Sequence, residues 1–182
     1  MPASVRPAPR GDAQRNRRRI LEAARRLFAE SPAASVADVA AAAGLTRTTV
    51  YRHFPHRDDL LDALVVELAA HDLPPLLDEL ARRPLPEALD LLAHGVVDLA
   101  GRHRHLIEAT AQRFHQVART AVADEPVIML LAAHPDRVAS DQGVDWLARG
   151  VRALCLAAVG DDRPAPEVAA DLARSLRRLV LA

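Results

Sequence analysis

The chain has 182 residues, enough for one or two small domains with a buried core. Half of the residues are hydrophobic but only 3% are aromatic, and helix-forming Ala, Leu and Arg dominate, which favours an all-α fold. All 24 basic residues are Arg and are balanced by 24 acidic ones, and a single cysteine, Cys155, excludes an internal disulfide and a multi-cysteine zinc site.

The charge is divided unevenly along the chain. Residues 1–57 carry 11 Arg and four acidic residues, a net charge of +7, so that residues 58–182 carry −7. A basic first third is what a polyanion-binding domain requires. The N-terminus lacks the apolar core of a signal peptide, and no run of apolar residues is long enough for a membrane span. We therefore expect a cytoplasmic protein that does not contact the membrane.

The first predicted elements are a tail and an amphipathic helix. Residues 1–12 contain several prolines and are predicted to be a disordered basic tail, which either touches DNA or stays solvated. Residues 13–30 place apolar side chains on one helical stripe. Ser31 and Pro32 then end this helix.

Two short helices are predicted next. Ser35 and Asp38 have the spacing of a capping box at the start of the second helix. Gly44 is expected to end that helix with a positive φ angle. Thr46 is predicted to cap a third helix over residues 47–53.

The remaining chain also has helical periodicity. A fourth helix is predicted to begin at Arg57 and to end before Pro74 and Pro75. Weaker patterns predict helices at about 75–82, 85–101, 104–123, 127–133, 141–159 and 165–181. We thus expect an all-α fold with a three-helix head over residues 13–57 and a larger helical body over residues 58–182.

Two short helices joined by a glycine-containing turn, after a longer helix, are typical of a helix-turn-helix. Arg47, Thr48 and Thr49 are small or hydrogen-bonding residues that suit contacts with base edges. The candidates for phosphate contacts are Ser35, Tyr51, His53 and Arg57.

The run RRRILEAARRLFAE and the later run SVADVAAAAGLTRTTVYRHFPHRDDLLDAL resemble the tetracycline-repressor (TetR) family of bacterial regulators. The resemblance covers roughly residues 17–64. The family usually has Gly after the first run, where this chain has Ser31 and Pro32. The remainder resembles the family only in its helical character and its length.

The resemblance implies roles for individual residues. Thr46 and Ser35 would cap helices and contact phosphate, and Arg47, Thr48 and Thr49 would reach the major groove. Tyr51, His53 and Arg57 would hold phosphates. It also implies a ligand pocket in the body, for which the candidate lining residues are Leu64, Leu68, His94, Phe114, Met129 and Trp146.

The last two predicted helices carry apolar stripes, which we expect to pair across a two-fold axis in a homodimer. The two stripes consist of Val144, Leu147, Val151, Leu154 and Ala158, and of Val168, Leu172, Leu176 and Leu179.

The leading hypothesis is a sequence-specific DNA-binding transcription regulator, most simply a repressor that a small hydrophobic ligand releases from a palindromic operator. The expected partners are double-stranded operator DNA, a small-molecule effector and a second copy of the chain. The eight histidines are scattered without metal-ligand spacing, and phosphate-loop and nucleophile motifs are absent, so we expect no metal, cofactor or catalytic residue. The alternatives are a regulator controlled by a protein partner and, less favoured, an all-α enzyme.

Overall fold

The computed structural model describes residues 10–31, 33–110, 113–114, 116–118, 124–138 and 142–181. These residues form helices and no strand, apart from an isolated antiparallel bridge between Val138 and Leu181. The predicted all-α class is confirmed. The chain divides into two compact units, Met1–Leu64 and Val65–Ala182, and the division falls later than the boundary expected after residue 57.

The first unit contains helices α1 (Arg10–Glu30), α2 (Val36–Ala42) and α3 (Arg47–His53). Helix α1 begins at Arg10, so residues 10–12 are helical where the sequence predicted a disordered tail. Residues 1–9 of that tail lie outside the described residues. The buried side chains of the three helices pack into one small core, made of Ile20, Leu21, Ala24, Phe28, Val36, Val39, Ala40 and Val50.

Helix α4 (Arg57–Leu80) belongs in part to each unit. It continues through Pro74 and Pro75, so the prediction of its end before these residues was wrong. Each proline removes one backbone donor, which leaves the carbonyls four residues earlier without a helical partner. Both prolines are exposed, as are Ala70 and His71. Water can therefore bond these carbonyls, and the helix is anchored by buried Leu68 and Leu80 on either side.

The second unit continues with α5 (Leu85–Arg102), α6 (Arg104–Ala109), α7 (Glu125–Ala132), a 3-10 turn (Pro135–Arg137), α8 (Val144–Val159) and α9 (Ala165–Val180). Its core lies mainly between α5, α8 and α9. Among the helices that the structure describes, none is long and apolar enough to cross a membrane.

The helix predicted over residues 104–123 is interrupted at Thr110. The Thr110 hydroxyl donates to the Leu106 carbonyl at 2.8 Å, and α6 ends there. Helical conformation returns at residues 113–114 and 116–118, and the rest of the predicted helix lies outside the described residues.

Candidate DNA interface and apolar cavity

The start of α2 is held by reciprocal hydrogen bonds between Ser35 and Asp38. The Asp38 amide donates to Ser35 Oγ at 3.2 Å, and the Ser35 amide donates to Asp38 Oδ2 at 2.8 Å. The capping box predicted from the sequence is therefore confirmed. The bonds from the Ser35 hydroxyl and amide lower the pKa of the Asp38 carboxyl, so Asp38 carries a negative charge at the N-terminal end of α2.

The turn between α2 and α3 has the geometry that its sequence predicted. Gly44 has a φ of +61°, which favours glycine, and Thr46 caps α3 by accepting a hydrogen bond of 3.2 Å from the Thr49 amide. The hydroxyl oxygens of Thr46 and Thr49 are also 2.9 Å apart. These bonds fix the direction in which α3 leaves the turn.

Helix α3 has an inner face and an outer face. Val50 is completely buried on the inner face, whereas Arg47, Thr48 and Tyr51 are exposed, Tyr51 by 49%. Arg52 lies on the same exposed face, although the sequence did not select it. Thr49 is half-buried and bonded to Thr46, so Thr48 is the more available of the two threonines. The outer face thus offers guanidinium, hydroxyl and phenol groups on a rigid short helix.

His53 and Arg57 make contacts within the packed side of the first unit. His53 Nε2 is buried without a hydrogen-bond partner, and burial, followed by the charges of Arg52 and Arg17, lowers the pKa of the His53 imidazole. The Arg57 guanidinium lies 5.2 Å from the centre of the Phe28 ring, and its Nε donates to the Ala34 carbonyl at 3.4 Å. Phosphate contacts from these two residues stay a prediction.

The second unit contains a largely apolar cavity of about 180 Å³. Residues from α4 to α8 form its wall, and the apolar ones include Leu68, Leu76, Val96, Leu99, Phe114, Val127, Val151 and Leu156. Cys155 also lines it, and burial raises the pKa of that thiol to about 12, so Cys155 is a neutral packing residue.

Six residues were predicted to line a ligand pocket, and the structure places only Leu68 and Phe114 in this wall. Leu64 is instead buried in the first unit, and His94 is exposed on α5 with its Nδ1 2.8 Å from the Asp90 carbonyl oxygen. Met129 and Trp146 are 70% and 61% exposed. These four residues therefore do not line this cavity, because helical periodicity does not reveal which face of a helix meets its neighbours.

Four ionisable side chains in the cavity wall were missed by the sequence analysis. His103 Nε2 lies 2.6 Å from Asp72 Oδ2, and Arg152 Nη1 lies 3.2 Å from Asp124 Oδ1. His71 Nδ1 is 2.9 Å from the other oxygen of Asp72. Burial alone would raise the pKa of Asp72, but the bonds to His71 and His103 outweigh it and lower that pKa. The partners in the His103–Asp72 pair and in the Arg152–Asp124 pair are far apart in sequence, so no local pattern predicts either pair.

Within the parts of the chain that the structure describes, no three His, Cys, Asp or Glu side chains form a group that could hold a metal ion.

The apolar stripes predicted to form a dimer are largely used inside the chain. Leu147, Val151, Val168, Leu172 and Leu176 are at most 5% exposed within the core of the second unit. These five residues meet α5 and one another inside the chain, and the pairing of the two helices across a dimer interface stays a prediction. On α8 the exposed residues are Asp145, Trp146, Arg149, Ala153 and Ala157, and the last four of them share a different face of the helix.

Comparison with known proteins agrees with this division of the chain. Residues 20–64 match the sequence profile of bacterial regulatory proteins of the tetR family. The HTH-type transcriptional repressor LfrR of Mycolicibacterium smegmatis is 49% identical over 63 residues, which are 35% of this chain and 32% of LfrR. The matched segment thus spans about a third of the length of that relative.

Two solved structures are similar over nearly the whole chain. The TetR-like regulator LfrR of Mycobacterium smegmatis, in complex with proflavine, has a TM-score of 0.57 at 26% identity, covering 94% of this chain and 99% of LfrR. A TetR-family regulator from Mesorhizobium loti has a TM-score of 0.63 at 18% identity, covering 92% and 96% of the two chains, which shows the shared fold. The profile match and the identity to LfrR thus show a tetR-family helix-turn-helix segment over residues 20–64, and the solved structures show that the chain shares the fold of TetR-like regulators.

Proposed function

We propose that this protein is a homodimeric transcriptional repressor whose first unit binds a palindromic DNA operator and whose cavity binds a small, largely apolar effector that releases the DNA. The observation that carries the proposal is the outer face of α3, where Arg47, Thr48 and Tyr51 are exposed on a helix fixed by the Thr46 cap.

The chemistry of this face suits a major groove. An arginine can donate two hydrogen bonds to guanine, and a threonine methyl group can contact the methyl group of thymine. Tyr51 can donate to a phosphate at the edge of the groove. The excess charge of +7 in residues 1–57 favours binding to a polyanion such as DNA.

Ligand control rests on the cavity and on helix α4. The cavity is large enough for a small organic molecule, and α4 both contributes to its wall and begins in the first unit. A ligand changes DNA affinity only if it binds two conformations of the protein unequally, with a coupling of about 1–3 kcal/mol giving roughly a 5- to 150-fold effect. The proflavine complex of LfrR supports a ligand site in a protein of this fold.

The proposal is tested by measuring how the full chain binds a random-sequence DNA duplex at several salt concentrations. If about four to eight phosphates are neutralised per dimer, the log–log slope of affinity against salt should be roughly −4 to −7. Tyr51→Ala should weaken this binding. The matched control is Arg82→Ala, which removes an exposed arginine of the second unit. A slope near zero for the wild-type chain would contradict the proposal.

A further inference from the structure

We propose that Arg17 and Arg19 are positioning residues for α3, which hold its two ends against α1 and so set the discrimination between the operator and other DNA. The inference rests on the proposed function in taking α3 as the DNA-reading helix. It goes beyond that function because neither arginine lies on α3 or belongs to the residues proposed to touch DNA.

Arg19 holds the turn that precedes α3. The last carbonyls of a helix have no partner within that helix. The turn pairs the Ala40 carbonyl with the Leu45 amide at 2.9 Å, as is typical of a helix that ends with glycine. The Ala43 carbonyl accepts its 2.7 Å hydrogen bond from the Arg19 guanidinium instead. Arg19 therefore fixes the backbone just before α3 begins at Arg47.

Arg17 holds the other end of α3. Its guanidinium lies 5.4 Å from the centre of the ring of Phe54, the residue that caps the C-terminal end of α3. Phe54 is buried, so the guanidinium packs on a fixed aromatic surface. After burial and the charge of Arg52, the charge of Arg17 also lowers the pKa of the His53 imidazole, which places Arg17 beside the last residue of α3.

The two contacts lie at opposite ends of a short helix. Helix α3 has 7 residues, and buried Val50 anchors its middle in the core. A contact at each end resists rotation of α3 about this anchor. Base contacts need side chains held within about 0.5 Å of their target geometry, whereas non-specific binding depends on charge. Loss of either contact should therefore weaken specific binding more than non-specific binding.

The test measures a discrimination ratio for the full chain. This ratio is the affinity for the duplex that the wild-type chain enriches most from a random pool, divided by the affinity for a random-sequence duplex. Arg17→Ala and Arg19→Ala should each lower the ratio roughly 3- to 10-fold. A residue that contacts only phosphate, or that only stabilises the fold, would lower both affinities alike and leave the ratio unchanged.

The control is Arg18→Ala, which removes the same charge from an exposed position between the two arginines and should keep the wild-type ratio. A ratio within about 2-fold of the wild type for Arg17→Ala or Arg19→Ala would overturn the proposal. So would an equal loss in Arg18→Ala. If the wild-type chain enriches no duplex, the proposed function fails. If it enriches one and the variants keep its ratio, only the positioning proposal fails.

Hydrogen exchange of the full chain without DNA tests the two contacts themselves. Arg19→Ala should speed exchange of the Leu45 amide roughly 3-fold or more. Arg17→Ala should do the same for the Phe54 amide, which donates to the Val50 carbonyl at 2.9 Å. Both changes should exceed the change at the Leu21 amide of α1, and Arg18→Ala should produce neither. Unchanged exchange at Leu45 and Phe54 would overturn the proposal whatever the DNA measurements give.

Discussion

The Arg19 guanidinium donates a 2.7 Å hydrogen bond to the carbonyl of Ala43, the residue that caps α2. This bond ties α1 to the turn of the helix-turn-helix. The same guanidinium lies 3.1 Å from the position that a side chain at Gly44 would occupy. The turn is therefore constrained both by the φ of +61° at Gly44 and by the arginine beside it.

Replacing Gly44 with Ala should destabilise the first unit by about 1–2 kcal/mol, because an L-residue is strained at positive φ. The new methyl group would also press on Arg19. Hydrogen exchange should show faster exchange of amides in α2 and α3. The control is Gly101→Ala in α5, where no atom lies within 4 Å of the added carbon. This control should be stabilising by about 0.5–1 kcal/mol. Equal exchange in wild type and Gly44→Ala would contradict the expectation.

The first unit should also lose stability as the pH falls, because of His53. In the folded protein, burial lowers the pKa of this imidazole below its ordinary value of 6.5. The unfolded chain therefore takes up a proton first, so the stabilising contribution of the neutral ring is present above pH 6.5 and declines as the pH falls towards the folded pKa. Thermal unfolding at pH 7.5 and pH 5.5 should show a smaller loss for His53→Phe than for the wild type.

His94→Gln is the matched control, since His94 is exposed in the second unit. It should lose as much stability between the two pH values as the wild type. If His53→Phe loses as much stability between pH 7.5 and pH 5.5 as this control, the burial of His53 has no influence on the pH dependence of stability.

Local sequence patterns predicted the first unit better than the second. Ser35, Gly44 and Thr46 act on backbone groups a few residues away, so their spacing was sufficient to predict the capping box and the turn. The cavity depends on helices that are distant in sequence. Trp146 was expected inside, yet it is exposed beside completely buried Leu147 and Ala148, because neighbouring helices determine which side of α8 is covered. Pro74 and Pro75 were likewise expected to end α4, yet the helix continues through them because both lie at exposed positions.

The exposed face of α8 provides the test of the dimer. Trp146 is 61% exposed and stacks only with Arg149 among the ring contacts described, at 5.6 Å, so it offers a large apolar surface to a second copy. Trp146→Glu should shift sedimentation of the full chain towards the monomer. Met129→Glu changes another exposed hydrophobic residue, on α7, and should leave the dimer intact. If the wild-type chain sediments as a monomer, or if Trp146→Glu dimerises with unchanged affinity, this face contains no dimer interface.

The most direct test of the central claim is selection of bound duplexes from a random DNA pool by the full chain. A dimer with α3 in successive major grooves should enrich an inverted repeat whose half-sites are about one helical turn, roughly 34–36 Å, apart. Arg47→Ala and Thr48→Ala should alter the preferred bases, with a loss of about 1–3 kcal/mol for each base contact removed. Arg82→Ala should select the wild-type sequence. Failure of the wild-type chain to enrich any sequence, or an enriched sequence that neither α3 variant changes, would contradict the assignment of α3 as the DNA-reading helix.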